Sequence, residues 1–158
     1  MQDIKVLIEI PKHSMIKYEV DKDTGLLMVD RFMYTAMAYP FNYGYIPNTL
    51  AKDGDPVDVL VVSSHPVQAG AIMASRVIGI LEMEDEAGID NKIIAVPTKK
   101  VDPFYANIND LADLDEATKN LIKHFFENYK GTEPGKWVKV KQFCGKEEAL
   151  RDIQESGL

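Results

Sequence analysis

The chain has 158 residues, 46% of them hydrophobic, which suits a single domain over residues 1–158 with a buried core. Its formal net charge of −7, from 25 acidic against 18 basic residues, argues against nucleic-acid binding, which relies on Lys and Arg to neutralise phosphates. No apolar run approaches the ~20 residues that cross a bilayer, so no membrane partner is expected.

The opening "MQDIKVLIEIPK" lacks a basic segment followed by an apolar one, so no secretory signal is expected. Cys144 is the sole cysteine, which rules out an internal disulfide and points to the cytoplasm. Along the chain, Ile4, Val6, Ile8 and Ile10 alternate as in a half-buried strand. "IKYEV" (16–20) follows, with Ile16, Tyr18 and Val20 on one face and Lys17 and Glu19 on the other. "DKDTG" reads as a hairpin turn in which Gly25 takes positive φ. "LLMVDRF" returns as a strand, and strict alternation puts Arg31 on the face of Leu27 and Val29. Residues 38–48, "AYPFNYGYIPN", read as an irregular, ordered loop.

"VDVLVV" (57–62) and "AIMASRVIGIL" (71–81) are strands, the second with a bulge at Gly79. "EMEDEAGID" (82–90) is an acidic turn, and "KIIAVP" a further strand. Asp113 with Glu116 three residues on predicts a capping box. Leu114, Ala117, Leu121, Ile122, Phe125, Phe126 and Tyr129 then recur at helical spacing, and Gly131 suits the stop. "KWVKVKQF" is a late strand and "KEEALRDIQES" a closing helix. Six or seven short strands with two late helices predict a mainly β fold, a small barrel with helices packed outside.

The chemistry concentrates in "DGDPVDVL" (53–60). Asp53 and Asp55 lie in a loop, whereas Asp58 enters an apolar strand, where a carboxylate needs a neutralising partner. The second acidic turn supplies Glu84, Asp85, Glu86 and Asp90, and the two turns can converge on one end of a barrel. Oxygen donors without nearby Cys or His suit a hard cation, Mg²⁺ or Mn²⁺. An EF-hand does not fit. Pro56 stands at the fourth loop position, Asp58 replaces the glycine at the sixth, and Ser64 falls where the terminal glutamate belongs. Ordinary turn aspartates would explain Asp53 and Asp55, but explain Asp58 less well.

Lys17, Arg31, Lys92 and Lys130 are candidate anion contacts, and Tyr39, Tyr43 and Tyr129 offer hydroxyls. Solvated surface is the commoner fate of each lysine, and the helix core that of Tyr129. Arg31 stands out because an arginine on an apolar strand face needs a partner. His13, His65 and His124 show no ligand spacing. The glycine-rich nucleotide loops are absent.

"DGDPVDVL" resembles the signature of the bacterial-type family I soluble inorganic pyrophosphatases, D-[SGDN]-D-[PE]-hydrophobic-D-hydrophobic. "IEIPKHSMIKYEVDKDTG", "VDRFMYTAMAYPFNYGYIPNTL", "DEAGIDNKIIAVP" and "HFFENYKGTEPGKWVKV" resemble the family too, in order, so the likeness covers nearly the whole chain. The resemblance implies an OB-like, five-stranded closed barrel with two helices outside. It also implies Mg²⁺-dependent hydrolysis of pyrophosphate to two phosphates, with several Mg²⁺ per site. In it, Asp53, Asp58, Asp85 and Asp90 match metal ligands, Glu9 and Glu19 match further acidic metal-site positions, and Asp55 matches the general base. Lys17, Arg31, Tyr43, Lys92, Tyr129 and Lys130 match phosphate contacts. Bacterial relatives are typically hexamers, so a homo-oligomer is implied. The rival readings are an OB-type binding module, which needs a basic or aromatic groove, and a metal-binding protein without turnover, which has no use for Asp55.

Overall fold

Strand β1 (Asp3–Ile10) shows the alternation of its sequence: Ile4, Val6 and Ile8 are buried, and Asp3 and Lys5 face solvent. It begins the part of the chain described by the computed structural model, residues 3–157. β1 pairs with β4 (Asn42–Tyr45), β4 with β5 (Asp58–Val61), β5 with β8 (Lys92–Pro97) and β8 with β6 (Ile72–Asp85). β6 returns to β1, so five strands close into a ring, the OB-like barrel expected. The β5–β8 junction is parallel and the others are antiparallel.

β6 is long enough to serve two neighbours. Ile72–Arg76 pair with β1, and Gly79–Asp85 pair with β9 (Val138–Gly145). The strand changes register against β8 between Val77 and Gly79, where the bulge was predicted. A Cβ on Gly79 would stand 2.7 Å from the Cys144 carbonyl oxygen and 2.9 Å from Leu111 Cβ. Larger residues are therefore excluded at the bend.

Because the Asp3/Lys5 side of β1 is wet, the Ile4/Val6/Ile8 side is the inside of the ring. Val59, Val61, Val77, Ile93 and Ala95 join it there. α2 (Lys146–Glu155) adds Ala149 and Ile153 to the same cluster. The outer face carries a second core. Leu60, Val62, Ile94 and Val96 pack with Ile122, Phe125 and Phe126 of α1 (Glu116–Asn128). Two buried faces on β5 and β8 explain their unbroken apolar runs.

The structure departs from the sequence reading at several points. Residues 38–48 contain strand β4, hidden by the prolines around it. Gly44 is required there, because a Cβ would lie 1.8 Å from the Leu7 carbonyl oxygen. The acidic segment 82–90 is mostly strand: β6 runs to Asp85 and β7 (Gly88–Ile89) pairs back on it, leaving Glu86 and Ala87 as the turn. The N-cap of α1 is Asp115, whose side chain accepts from the Thr118 N–H; Asp113 instead joins Asp110 in a capping box on a short 3₁₀ turn. Ala117 and Leu121, counted on the apolar face of α1, are exposed.

The hairpin of β2 (Ile16–Val20) and β3 (Leu27–Phe32) turns as predicted, with Gly25 at φ +70. Its pairing slips, however. Lys17 pairs with Arg31 and Tyr18 with Val29, so Asp30 is an extra, bulged residue. Cross-strand partners share a face, and Lys17 and Tyr18 point to opposite faces. Arg31 therefore lies opposite Val29 and Leu27, not beside them. Those two apolar side chains are themselves exposed.

Candidate active site

A cleft of about 520 Å³ opens at one end of the ring, on its outer face, below the β2–β3 turn and beside the C-terminal end of α1. The topology explains why it is polar. Asp58 heads β5 and Lys92 heads the parallel neighbour β8, so the two lie at the same end. Val57 and Val59 turn into the ring, which leaves Asp58 turned out of it.

Every predicted site residue except Arg31 lines this cleft. Asp53, Asp58 and Asp90 each bring a carboxylate oxygen within 4.8 Å of the others. The loop holding Asp53 is fixed by its own side chain, which accepts from the Asp55 N–H at 3.0 Å, and by Gly54 at φ +86. Asp85, expected as a fourth ligand, lies outside this group. It accepts from Lys130 Nζ at 2.9 Å and from the Ala87 N–H at 2.9 Å.

Lys92 is the most buried of these charges, 3% exposed, and donates to Asp58 and Asp90 at 2.9 Å each. Its ammonium also stands 5.4 Å from the Tyr43 ring centre and 5.9 Å from that of Phe126. Burial alone would lower its pKa, but the charge of Asp58 and its other neighbours carries it well above the usual lysine value. The lysine is therefore a permanent cation among the aspartates.

The carboxylates divide by environment. Burial pushes Asp53 and Asp90 above the ordinary aspartate value. Burial acts on Asp85 too, but its bonds from Lys130 and Ala87 bring it below that value. Glu9 rises to about 7, through burial first and then the charges of Asp58 and Glu19, although it accepts from the Val20 N–H. That 2.8 Å bond ties β1 to the hairpin. Glu19 is exposed on the hairpin's cleft side.

Tyr43 and Tyr129 form an aromatic wall with Tyr39, Phe125 and Phe126. Phe125 stacks on Tyr129 at 5.2 Å, and Tyr39 tilts against Phe125 at 4.6 Å. Tyr129 is thus both core and cleft lining. Burial holds the Tyr43 and Tyr129 hydroxyls above their ordinary pKa, so they stay protonated donors.

Sequence reasoning missed two partners. Lys22, in the hairpin turn, pairs with Asp55 at 2.9 Å. Glu133 lies 3.0 Å from Arg31 Nη2. Each contact joins distant parts of the chain, and no local pattern announces it. Arg31 also donates to Asp30 at 2.7 Å, and Lys17 approaches the same carboxylate at 3.5 Å.

The donor set around Asp53, Asp58 and Asp90 is all oxygen, with two of the three carboxylates shifted by burial in the sense a bound cation would reverse. It fits a hard divalent cation. No helix among the described residues is long and apolar enough to cross a membrane.

A family model described as "Inorganic pyrophosphatase" matches residues 6–157. An inorganic pyrophosphatase of Aquifex pyrophilus is 59% identical over 154 residues, covering 98% of this chain and 87% of that protein. One from Helicobacter pylori is 54% identical over 151 residues, covering 96% and 87%. A solved Helicobacter pylori inorganic pyrophosphatase superposes with a TM-score of 0.96 at 53% identity, covering 98% of this chain and 91% of that one.

Proposed function

The chain belongs to the inorganic pyrophosphatase family, and we propose that the cleft at the end of its ring is where it hydrolyses pyrophosphate to two orthophosphates. The observation that carries this reading is the charge of the cleft. Eight carboxylates and four lysines line it, a formal −4, yet the substrate is a polyanion. Such a site accepts pyrophosphate only together with cations, and the Asp53–Asp58–Asp90 group offers them a seat.

Several Mg²⁺ ions, with Mn²⁺ as the alternative, are the proposed occupants, held by Asp53, Asp58, Asp85 and Asp90 with Glu9 and Glu19 as further acidic partners. When bound, such ions neutralise the carboxylates, lower the pKa of water towards neutrality and offset phosphate charge. The other roles fall to the chain. Asp55, which lines the cleft two residues from Asp53 in the same loop, takes a proton from the attacking water. The new P–O bond forms as the bridging P–O bond breaks, and the departing phosphate keeps the electron pair. Lys17, Lys92 and Lys130 present point charges to the phosphates, Tyr43 and Tyr129 donate hydroxyl hydrogen bonds, and Arg31 supplies a planar fork. Positioning and fixed charge carry most phosphoryl transfer, which suits a cleft built on strand ends.

The wider reading is a single catalytic domain working in the cytoplasm as a homo-oligomer, a hexamer. The test of function is phosphate release from pyrophosphate by the pure protein with Mg²⁺. Release should stop with a chelator and return with excess Mg²⁺. Failure to release phosphate with Mg²⁺ or Mn²⁺ would refute the reading.

A further inference from the structure

Arg31 is the one predicted phosphate contact that the fold does not bring into the cleft lining. Lys17, its register partner on β2, does line it. The guanidinium is engaged elsewhere. Nη1 donates to Asp30 at 2.7 Å, and Nη2 lies 3.0 and 3.2 Å from the two oxygens of Glu133. Nε is buried and donates to none of the described residues.

The side chain of Glu133 is 8% exposed, so its carboxylate depends on this arginine rather than on water. Its place in the chain matters as well. Tyr129 and Lys130 line the cleft, and tight turns link them to Glu133. The Gly131 N–H donates to the Asn128 carbonyl at 2.9 Å, and the Glu133 N–H to the Lys130 carbonyl at 3.0 Å. One short segment therefore carries both cleft residues and the holder of Arg31.

A guanidinium grips phosphate best through two parallel N–H bonds. Both terminal nitrogens of Arg31 are committed to carboxylates, and Nε is turned into protein. A phosphate that takes the paired grip therefore competes with these carboxylates for the terminal nitrogens. Asp30 is the chain neighbour of Arg31 and moves with it, so the exchange falls on Glu133. We propose that Glu133 is a latch on Arg31: it holds the guanidinium out of the cleft, and a phosphate of the substrate competes with it for the same donors. This rests on Arg31 being a phosphate contact of the proposed site. Glu133 itself is a positioning residue, acting through Arg31. The latch weakens substrate binding and eases release of phosphate.

The test is calorimetric binding of a non-hydrolysable methylenebisphosphonate at fixed, saturating Mg²⁺. The proteins are the parent, Glu133→Gln, Arg31→Lys and the double variant. Glu133→Gln should bind about two- to fivefold tighter, the range of a modest ion pair. Arg31→Lys should bind more weakly, and the Glu133→Gln gain should vanish in its background. Unchanged or weaker binding by Glu133→Gln overturns the latch. Parent-like binding by Arg31→Lys overturns the phosphate role of Arg31 instead. Should Glu133→Gln not fold, Glu133→Asp draws the carboxylate back by one methylene and must also tighten binding, or the latch fails.

Discussion

Lys92 donates to Asp58 at 2.9 Å from the head of the neighbouring parallel strand, with only 3% of its side chain exposed. Asp90 accepts from the same ammonium at 2.9 Å. Without metal, a lysine is thus the counter-ion within the carboxylate group. It keeps the strand ends together before any divalent ion arrives.

Lys92→Met should therefore destabilise the metal-free fold by about 3–5 kcal/mol, because it leaves buried carboxylates uncompensated. Mg²⁺ should recover more stability in the variant than in the parent. Urea unfolding in chelator and in Mg²⁺ measures both. A loss below about 1 kcal/mol in chelator would mean that water, not Lys92, neutralises Asp58 and Asp90.

Asp55→Asn should lose about 10²–10⁴-fold in turnover while retaining Mg²⁺ binding, the usual contribution of a positioned base. The exposed Lys22 pair is also lost, but exposed pairs contribute little to stability, so the melting temperature should barely move. Turnover near the parent's would remove Asp55 from the base role and pass it to Asp90.

Glu9 gives a pH signature in the metal-free protein. Its folded value of about 7 lies above the ordinary 4.5, so the fold prefers the neutral acid. Ionisation is then a penalty: absent below the ordinary value, growing as pH rises, and complete above about 7. Glu9→Gln keeps an acceptor for the Val20 N–H and removes the charge. In chelator, the variant should match the parent near pH 4 and exceed it at pH 8 by about 1–2 kcal/mol, allowing for solvent screening. A stability difference constant across pH would place the variant's effect in packing rather than charge.

The sequence carried the strands of the ring because their apolar alternation and buried runs reflect local geometry. It carried the aspartate loop because Asp58 conflicts with the apolar strand around it. Arg31 was misplaced for a different reason. A single bulged residue, Asp30, reverses the face of everything after it, and alternation cannot reveal the slip. β4 was lost because Pro40 and Pro47 look like loop residues, while the need for Gly44 comes from a distant strand. Lys22 on Asp55 and Glu133 on Arg31 are pairings of chain folding, not of spacing. Leu121 fits the helical period but not the packed stripe of α1, which is narrower: Ile122, Phe125 and Phe126.

The proposed site binds cations between Asp53, Asp58 and Asp90. The most direct measurement is the melting temperature of the parent and of Asp58→Asn in millimolar Mg²⁺ and in sodium chloride of equal ionic strength. A cation that binds only the folded site adds about 2.7 kcal/mol at a hundredfold excess over Kd. Mg²⁺ should raise the parent's melting temperature well beyond the sodium chloride control, which accounts for screening. Asp58→Asn should lose most of that difference. Equal shifts from Mg²⁺ and sodium chloride in the parent would mean that the aspartates are screened but not coordinated, and that no cation site exists there.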